Sequence, residues 1–285
     1  MARPRQTTAT VTTLEPAGAY HRLVLAVDGI ADQVLPGHFV AVAVGSPGSS
    51  ALLLRRAFSL HRADPARGTI EVVFAERGAG TRELARLRPG DRLDVIAPLG
   101  VPFPVPERPG PAVLVGGGYG VAPLLPLARR LLDAGAPDVA FVCGAATRER
   151  LFGVAEARSL TGRVHLATDD GTRGARGRVT DLLPAAIEAV GASAVYACGP
   201  MGMLRAVTET ARDHGVRAWT AVEEAMACGI GACMSCVLPV VGEDGTSRFV
   251  RACVEGPCFD GDTVRWDEVG MLPADLEGAE AMGLH

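Results

Sequence analysis

The sequence contains no lysine; all 28 of its basic residues are arginine. Any contact with an anion must therefore come from guanidinium groups, backbone N–H groups or helix N-termini. Strong charge of either sign is also missing. A net charge of −4 over 285 residues predicts no global attraction to nucleic acid or anionic lipid. No apolar segment follows Met1-Ala2-Arg3-Pro4-Arg5, so no secretory signal is expected and a cytoplasmic location is the default. The longest apolar stretch, Ala112 to Ala128, is broken by Gly116, Gly117, Gly118, Gly120, Pro123 and Pro126. It reads as strand, turn and helix rather than a membrane span. The six histidines (His21, His38, His61, His165, His214 and His285) are scattered, and no Ser–His–Asp or paired-carboxylate hydrolytic set stands out.

What remains is an ordinary globular composition, 48% hydrophobic and 21% charged, long enough for two domains and a small appendage. From Thr8 to Leu99, short β-rich runs recur: Ala9–Thr13, Arg22–Val27, His38–Val44, Thr69–Phe74 and Asp91–Ile96. Pro36-Gly37, Gly68, Pro89-Gly90 and Pro98-Leu99-Gly100 separate them, which predicts a small antiparallel barrel. One helical turn is expected over Thr81–Leu87, with Thr81 as N-cap. After the Pro-rich linker Val101–Pro111 the rhythm changes. Continuous apolar strands at Ala112–Val115, Val139–Cys143, Val164–Ala167 and Ala194–Ala197 alternate with helical patterns such as Leu124–Ala134 and Val179–Val190. That alternation predicts a parallel sheet covered on both faces. The expected organisation is an antiparallel β-barrel over 1–105, a doubly wound α/β domain over 106–219, and a small cysteine-bearing subdomain over 220–285.

The last segment holds five of the seven cysteines. In a reducing compartment these are not structural disulfides. Cys228, Cys233 and Cys236 stand at C-x4-C-x2-C spacing, with Cys253 farther on, the plant-type [2Fe–2S] arrangement. Two irons need four thiolates, and one short loop can supply three. Gly229 and Gly231 would let N–H groups approach the sulfurs. The fourth thiolate arrives on a hairpin: Val237–Val241, a turn at Gly242–Gly245, then Arg248–Cys253. Cys258 is a rival for that position; Cys253 is preferred because it directly follows the return strand. A zinc site would more often use C-x2-C pairs with His, and no His lies in this segment. Cys143 and Cys198, at strand ends, read as buried small residues.

Val113-Leu114-Val115-Gly116-Gly117-Gly118-Tyr119-Gly120-Val121-Ala122-Pro123 is a strand, a glycine turn and a helix start. Such a turn can present N–H groups to a pyrophosphate. It departs from G-x-G-x-x-G, and no acidic residue ends the next strand, Val142-Cys143-Gly144-Ala145-Ala146. Asp169-Asp170 before Gly171 reads as a turn. Arg148 and Arg150, after the strand that ends at Ala146, could meet a 2′-phosphate, which leaves NAD versus NADP open, but they read rather as solvated surface residues.

Arg55-Arg56-Ala57-Phe58-Ser59-Leu60 resembles the R-x-Y-S flavin motif of ferredoxin–NADP reductase-like proteins. Gly116–Gly120 and Cys198-Gly199-Pro200 resemble that family's nicotinamide-side motifs, in matching order over nearly the whole chain. The C-terminal cysteine segment, Ala167–Thr172 and Glu223-Glu224-Ala225-Met226-Ala227-Cys228 narrow the resemblance to the electron-transfer subunits of NAD-dependent dihydroorotate dehydrogenases. The small subunits of NADH-dependent ferredoxin:NADP oxidoreductases are close cousins, and a subunit of such an enzyme or of a sulfide-dehydrogenase-like complex is the alternative.

The resemblance implies FAD on the barrel, NAD on the α/β domain and a [2Fe–2S] cluster on Cys228, Cys233, Cys236 and Cys253. It implies that Arg56 holds the FAD pyrophosphate, that Ala57 and Phe58 pack along the flavin, and that Ser59 lies near flavin N5. Gly80 and Thr81 would add donors to the pyrophosphate. Gly117, Gly118, Cys198, Gly199 and Pro200 would border the nicotinamide. Phe58 and Ser59 are the residues expected at the reacting ring. A (β/α)8 barrel alone takes about 250 residues, so nothing remains here to oxidise dihydroorotate. The resemblance therefore implies an FMN-containing catalytic subunit as partner, in a heterotetramer, with neither nucleic acid nor membrane involved. A non-catalytic redox sensor is the remaining alternative, disfavoured because sensing requires no hydride channel.

Overall fold

A computed structural model describes residues 3–45, 52–273 and 275–277; Met1, Ala2 and His285 lie outside them. Six strands form a closed barrel: β1 (Arg5–Ala17), β2 (Tyr20–Ala26), β3 (Phe39–Val42), β4 (Arg56–Asp64), β5 (Thr69–Phe74) and β6 (Arg92–Leu99). Their order around the barrel is β1-β2-β5-β4-β3-β6. Alternate residues of a strand point to one face. Leu23 and Leu25, Ile70 and Val72, and Val40 and Val42 thus meet in one buried cluster. Closure leaves no free sheet edge. Strand β4 carries a bulge: Leu60 pairs with Val72 and Arg62 with Glu71, so His61 is the extra residue.

Helix α1 (Ala79–Leu84) follows β5, and its N-cap is Gly78 rather than Thr81. Thr81 lies within the first turn, where its hydroxyl accepts from the N–H groups of Arg77 (2.8 Å) and Gly78 (3.1 Å). The correction has a simple cause. A threonine at the third helical position bonds back to the N–H of the cap residue, so it marks a helix start just as an N-cap threonine does, through different donors.

The second sheet contains β7 (Ala112–Gly117), β8 (Val139–Ala145), β9 (Val164–Thr168), β10 (Ala175–Arg176), β11 (Ala194–Cys198), β12 (Arg217–Ala221) and β15 (Cys258–Asp260). Their order is β10-β9-β8-β7-β11-β12-β15. All are parallel except β15, which pairs antiparallel with β12. Helices cover both faces. Val113 and Val115 pack with α4 (Val179–Val190) and α5 (Met201–Asp213). Ala112 and Leu114, one residue out of phase, pack with α2 (Leu124–Asp133) and α3 (Val154–Leu160). The Pro-rich linker is pinned between barrel and sheet: the Phe103 N–H donates to the Pro36 carbonyl at 2.9 Å, and the Tyr196 hydroxyl donates to the Pro104 carbonyl at 3.0 Å.

Strand β12 runs across position 219/220, and β15 returns from the cysteine-bearing segment to extend the same sheet. Between them, β13 (Val237–Val241) and β14 (Ser247–Arg251) form a hairpin, with Val237 opposite Arg251. Among the described residues, no helix is long and apolar enough to cross a membrane.

Candidate functional site

The chain enters the parallel sheet at β7, proceeds outward to β8 and β9, and then returns across β7 to β11 and β12. A crevice opens where the direction reverses, at the carboxyl ends of β7 and β11. Cys198, which ends β11, pairs with Gly116 near the end of β7. The turns that follow the two strands meet at van der Waals distance. A Cβ on Gly120 would stand 2.3 Å from the Cys198 carbonyl oxygen, and one on Gly117 only 3.0 Å from Pro200. Glycine is required here by close approach rather than by turn type. The resulting cleft, of about 560 Å³, is lined by Gly117, Gly118 and Tyr119, by Gly144–Ala146 after β8, by Asp169, and by Pro200 and Met203. Residues Gly177–Thr180, at the N-terminus of α4, close it. That helix end offers unpaired N–H groups and positive potential to an anion.

A second cleft of about 330 Å³ lies along β4 and is lined by Ala57, Phe58, Ser59, Thr81, Cys198 and the segment Val222–Met226. Phe58 rests on Phe74 with ring centroids 5.7 Å apart. The adjacent arginines have different fates. Arg55 forms an ion pair with Asp94 of β6, a barrel-closing contact. Arg56 has no carboxylate partner among the described residues; its guanidinium donates to the Leu54 and Arg55 carbonyls and lies against Gly80, whose added Cβ would meet its Nε at 2.7 Å. A cation thus waits at the start of α1, beside backbone donors, where an anionic group would be stabilised. Arg77, Tyr119 and Glu223 line both clefts. The Arg77 guanidinium sits 5.6 Å from the centre of the Tyr119 ring. Burial, reinforced by Glu223, raises the Tyr119 hydroxyl above the usual phenol range. Burial also holds the Cys198 thiol far above the ordinary range, so it presents as an uncharged side chain.

The cysteine loop continues directly from the second cleft. Met226 lines the cleft and Cys228 opens the loop. A Cβ on Gly229 would contact Ala41, Leu99 and Phe39, so the loop rests on the barrel strands that back the cleft. The N–H groups of Ile230 and Ala232 donate to Cys228 Sγ at 3.4 and 3.3 Å. Met234 takes φ 59°, alone in the left-handed region among described non-glycine residues. Arg251 donates to the Gly231 carbonyl at 3.2 Å and pairs with Glu255 at 2.7 Å, clamping loop to hairpin.

Cys233 interacts with Cys228, and hydrogen bonds from Ser235 draw its thiol down to about 6. Cys253 interacts with Cys236, and burial lifts its thiol to about 12. Among the described residues no three His, Cys, Asp or Glu side chains converge to hold one ion. Two thiol pairs are nonetheless what a two-iron cluster requires, and sulfur-directed N–H groups suit thiolates. The donor set therefore fits such a group. Cys258 is elsewhere, fully buried on β15 with Sγ 4.0 Å from the Gly37 carbonyl. Cys143 is also buried.

Residues 223–265 match the family described as the iron-sulfur cluster binding domain of dihydroorotate dehydrogenase B, and residues 114–209 match the oxidoreductase NAD-binding domain. The dihydroorotate dehydrogenase B (NAD(+)) electron transfer subunit of Geobacillus thermodenitrificans is 40% identical over 84% of this chain and 90% of that protein. The chain belongs to the family of dihydroorotate dehydrogenase B electron-transfer subunits. The Enterococcus faecalis member is 36% identical over 93% of this chain and 99% of its own. A solved structure of an NADH-dependent reduced ferredoxin-NADP oxidoreductase is 30% identical, with a TM-score of 0.78, covering 91% of this chain and 90% of that one. The ferredoxin reductase of carbazole 1,9a-dioxygenase, 20% identical with a TM-score of 0.64 over 75% of this chain and 67% of that one, shares the fold.

Of the residues singled out from sequence, Ala57, Phe58, Ser59, Thr81 and Cys198 line one cleft, and Gly117, Gly118 and Pro200 the other. Arg56 and Gly80 adjoin the first group, and Gly199 touches Gly117. Asp169 lines the larger cleft, while Asp170 accepts from the Thr172 N–H at 3.0 Å in a turn. Arg150 also reaches that cleft. Sequence reasoning missed Arg77, Tyr20 and Thr180. Tyr119 was visible inside the glycine turn but carried no separate signal. Arg77 follows a strand in a plain Glu-Arg-Gly loop and had none.

Proposed function

We propose that this chain carries electrons between NAD(H) and the FMN of a separate dihydroorotate dehydrogenase catalytic subunit, by way of FAD and one [2Fe–2S] cluster, serving the conversion of dihydroorotate to orotate in pyrimidine biosynthesis. Contiguity carries the reading. Arg77, Tyr119 and Glu223 are a common wall of the two clefts, and residues 222–226 lead from the second cleft into the cysteine loop. The two clefts and the cysteine loop in a row form a conduit. A flavin exchanges a hydride on one side and single electrons on the other, and a [2Fe–2S] cluster carries one electron at a time.

In this reading residues 1–105 hold FAD, 106–219 hold NAD(H) and 220–285 hold the cluster. Arg56, Gly80 and Thr81 bind the FAD pyrophosphate through guanidinium and backbone donors at α1. Ala57, Phe58 and Ser59 line the flavin ring, with Phe58 fixed by Phe74 and the Ser59 hydroxyl placed to donate to the ring's reacting edge. Gly117, Gly118, Cys198, Gly199 and Pro200 receive the nicotinamide, and their lack of bulk lets it lie against the second cleft. Cys228, Cys233, Cys236 and Cys253 ligate the cluster. The protein works in the cytoplasm, two copies of it joining two catalytic subunits in a heterotetramer. The ferredoxin-NADP oxidoreductase likeness supports the same conduit with another partner; the higher identity to the dihydroorotate dehydrogenase subunits favours the partner named here.

The test is a visible spectrum of the anaerobically purified chain before and after NADH. Flavin bands and broad cluster absorbance, both bleached by NADH, are expected. A colourless, zinc-containing protein would overturn the cofactor assignment, and dihydroorotate oxidation by the chain alone would overturn the need for a partner.

A further inference from the structure

His61 is completely buried, yet it lies in neither cofactor cleft. It is the extra residue of the β4 bulge, two positions beyond Ser59. Bulges beside functional sites serve to re-aim a side chain. Here the imidazole leaves the barrel and crosses to the other sheet. Its Nδ1 is 2.9 Å from the Ala122 carbonyl oxygen. A carbonyl only accepts, so Nδ1 carries the proton and donates. Ala122 immediately follows the glycine turn and lines the flavin-side cleft. The rest of the ring is enclosed from three directions, with no further hydrogen bond among the described residues. Nε2 faces Glu71 of β5 at 3.3 Å and Glu156 of α3 at 3.7 Å, and Phe152 packs edge-on with centroids 5.6 Å apart. Arg62 of β4 also pairs with Glu156 at 2.5 Å. Tyr20 of β2 also braces this side, its hydroxyl donating to the Arg150 carbonyl at 2.7 Å and its ring packing edge-on against Tyr119 with centroids 5.2 Å apart, but that contact comes from β2, not from the strand that carries Ser59.

We infer that His61 is a positioning residue for hydride transfer: its bond to the Ala122 carbonyl sets the distance between the flavin strand β4 and the nicotinamide turn Gly118–Gly120. The inference rests on the electron-transfer reading above. One rigid strand carries Ser59 on the flavin side and His61 on the domain-crossing side, so a slack His61 contact lets the two reacting faces separate. Misplacement of about 1 Å costs a large factor in rate, while nicotinamide affinity depends on contacts that His61 does not make.

The experiment compares the holoprotein with His61→Ala, His61→Phe and His61→Gln. Stopped-flow reduction by NADH should show a limiting rate roughly ten- to hundredfold lower in the Ala and Phe variants, with half-saturation little changed. Gln, whose amide can donate to the same carbonyl, should recover most of the rate. Amide exchange of the peptide covering 116–124, measured on the holoprotein without NADH, should be faster in Ala and Phe and near parental in Gln. Equal rates and exchange in parent and His61→Ala would overturn the inference, as would a Gln variant as impaired as Ala. If NADH fails to reduce the parent protein, the electron-transfer reading fails, and the exchange comparison still decides the His61 contact.

Discussion

The turns after β7 and β11 approach each other most closely at Gly120, and adding one methyl group there probes the whole arrangement. In Gly120→Ala the new Cβ would lie 2.3 Å from the Cys198 carbonyl oxygen, 2.8 Å from its carbonyl carbon and 3.1 Å from Gly199 Cα. All three are backbone atoms, so no side-chain rotation relieves the clash. Restoring ordinary contact requires a displacement of about 1 Å. Because Cys198 is paired with Gly116 in the ladder, that displacement must open β7 from β11 at their carboxyl ends. Overpacking of this kind costs about 1–3 kcal/mol, which for a chain of this size lowers the melting temperature by roughly 2–10 °C. Gly162→Ala is the control: it has no atom within 4 Å of an added Cβ and should stay within about 0.5 kcal/mol of the parent. Thermal unfolding followed by far-UV circular dichroism, with an NADH titration of each variant, reads both effects. Gly120→Ala should melt lower and need more NADH for the same bleaching. If it melts with Gly162→Ala and titrates normally, the two turns are not in contact and the cleft has been misconstructed.

Three further outcomes are expected. Arg56→Ala should lose roughly ten- to hundredfold in flavin retention, the loss of charge-assisted bonds, measured as flavin content after ultrafiltration. Arg55→Ala, which removes the ion pair to Asp94, should mainly lower stability. Cys253→Ser should abolish the broad cluster absorbance, whereas Cys258→Ser should keep it and lose about 1–3 kcal/mol for a hydroxyl buried among apolar side chains, 4.0 Å at the sulfur from its one acceptor, the Gly37 carbonyl. His38 is 2% exposed, and burial pushes its imidazole down to about 4. The folded protein keeps it neutral while the unfolded chain takes up a proton near pH 6.5, so its contribution is complete above that pH and is lost as pH falls toward 4. The loss is roughly 3 kcal/mol. His38→Asn, whose side-chain oxygen can still accept from the Leu35 N–H as Nδ1 does at 3.0 Å, should show that much less acid destabilisation between pH 6.5 and 4 in urea melts.

Much of this was legible in one dimension, because local physics writes it there. Strand β5 and helix α4 begin and end where their patterns predict, since period-2 and period-3.6 hydrophobicity are properties of adjacent residues. The cysteine hairpin was equally readable, its turn set by Gly242 and Gly245. The Thr81 cap was misplaced because a threonine marks a helix start both as N-cap and as the third helical residue that bonds back to the cap N–H. Arg55 and Arg56 could not be told apart: neighbouring arginines on a strand look alike until one finds Asp94 across the barrel and the other Gly80.

The succession of a barrel, a parallel sheet, a three-cysteine loop and a hairpin with a fourth cysteine is written in local patterning, and the family resemblance adds the cofactors that these segments imply. What stands between the segments emerges only when the chain is folded. Arg77, Tyr119 and Glu223 come from three distant segments and become one shared wall. Cys253 and Cys258, close in sequence, are sent to a thiol pair and to an apolar core. His61 looks like any strand residue until a bulge turns it across the domain boundary. Each outcome depends on contacts between residues far apart in the chain, where spacing and propensity carry no information.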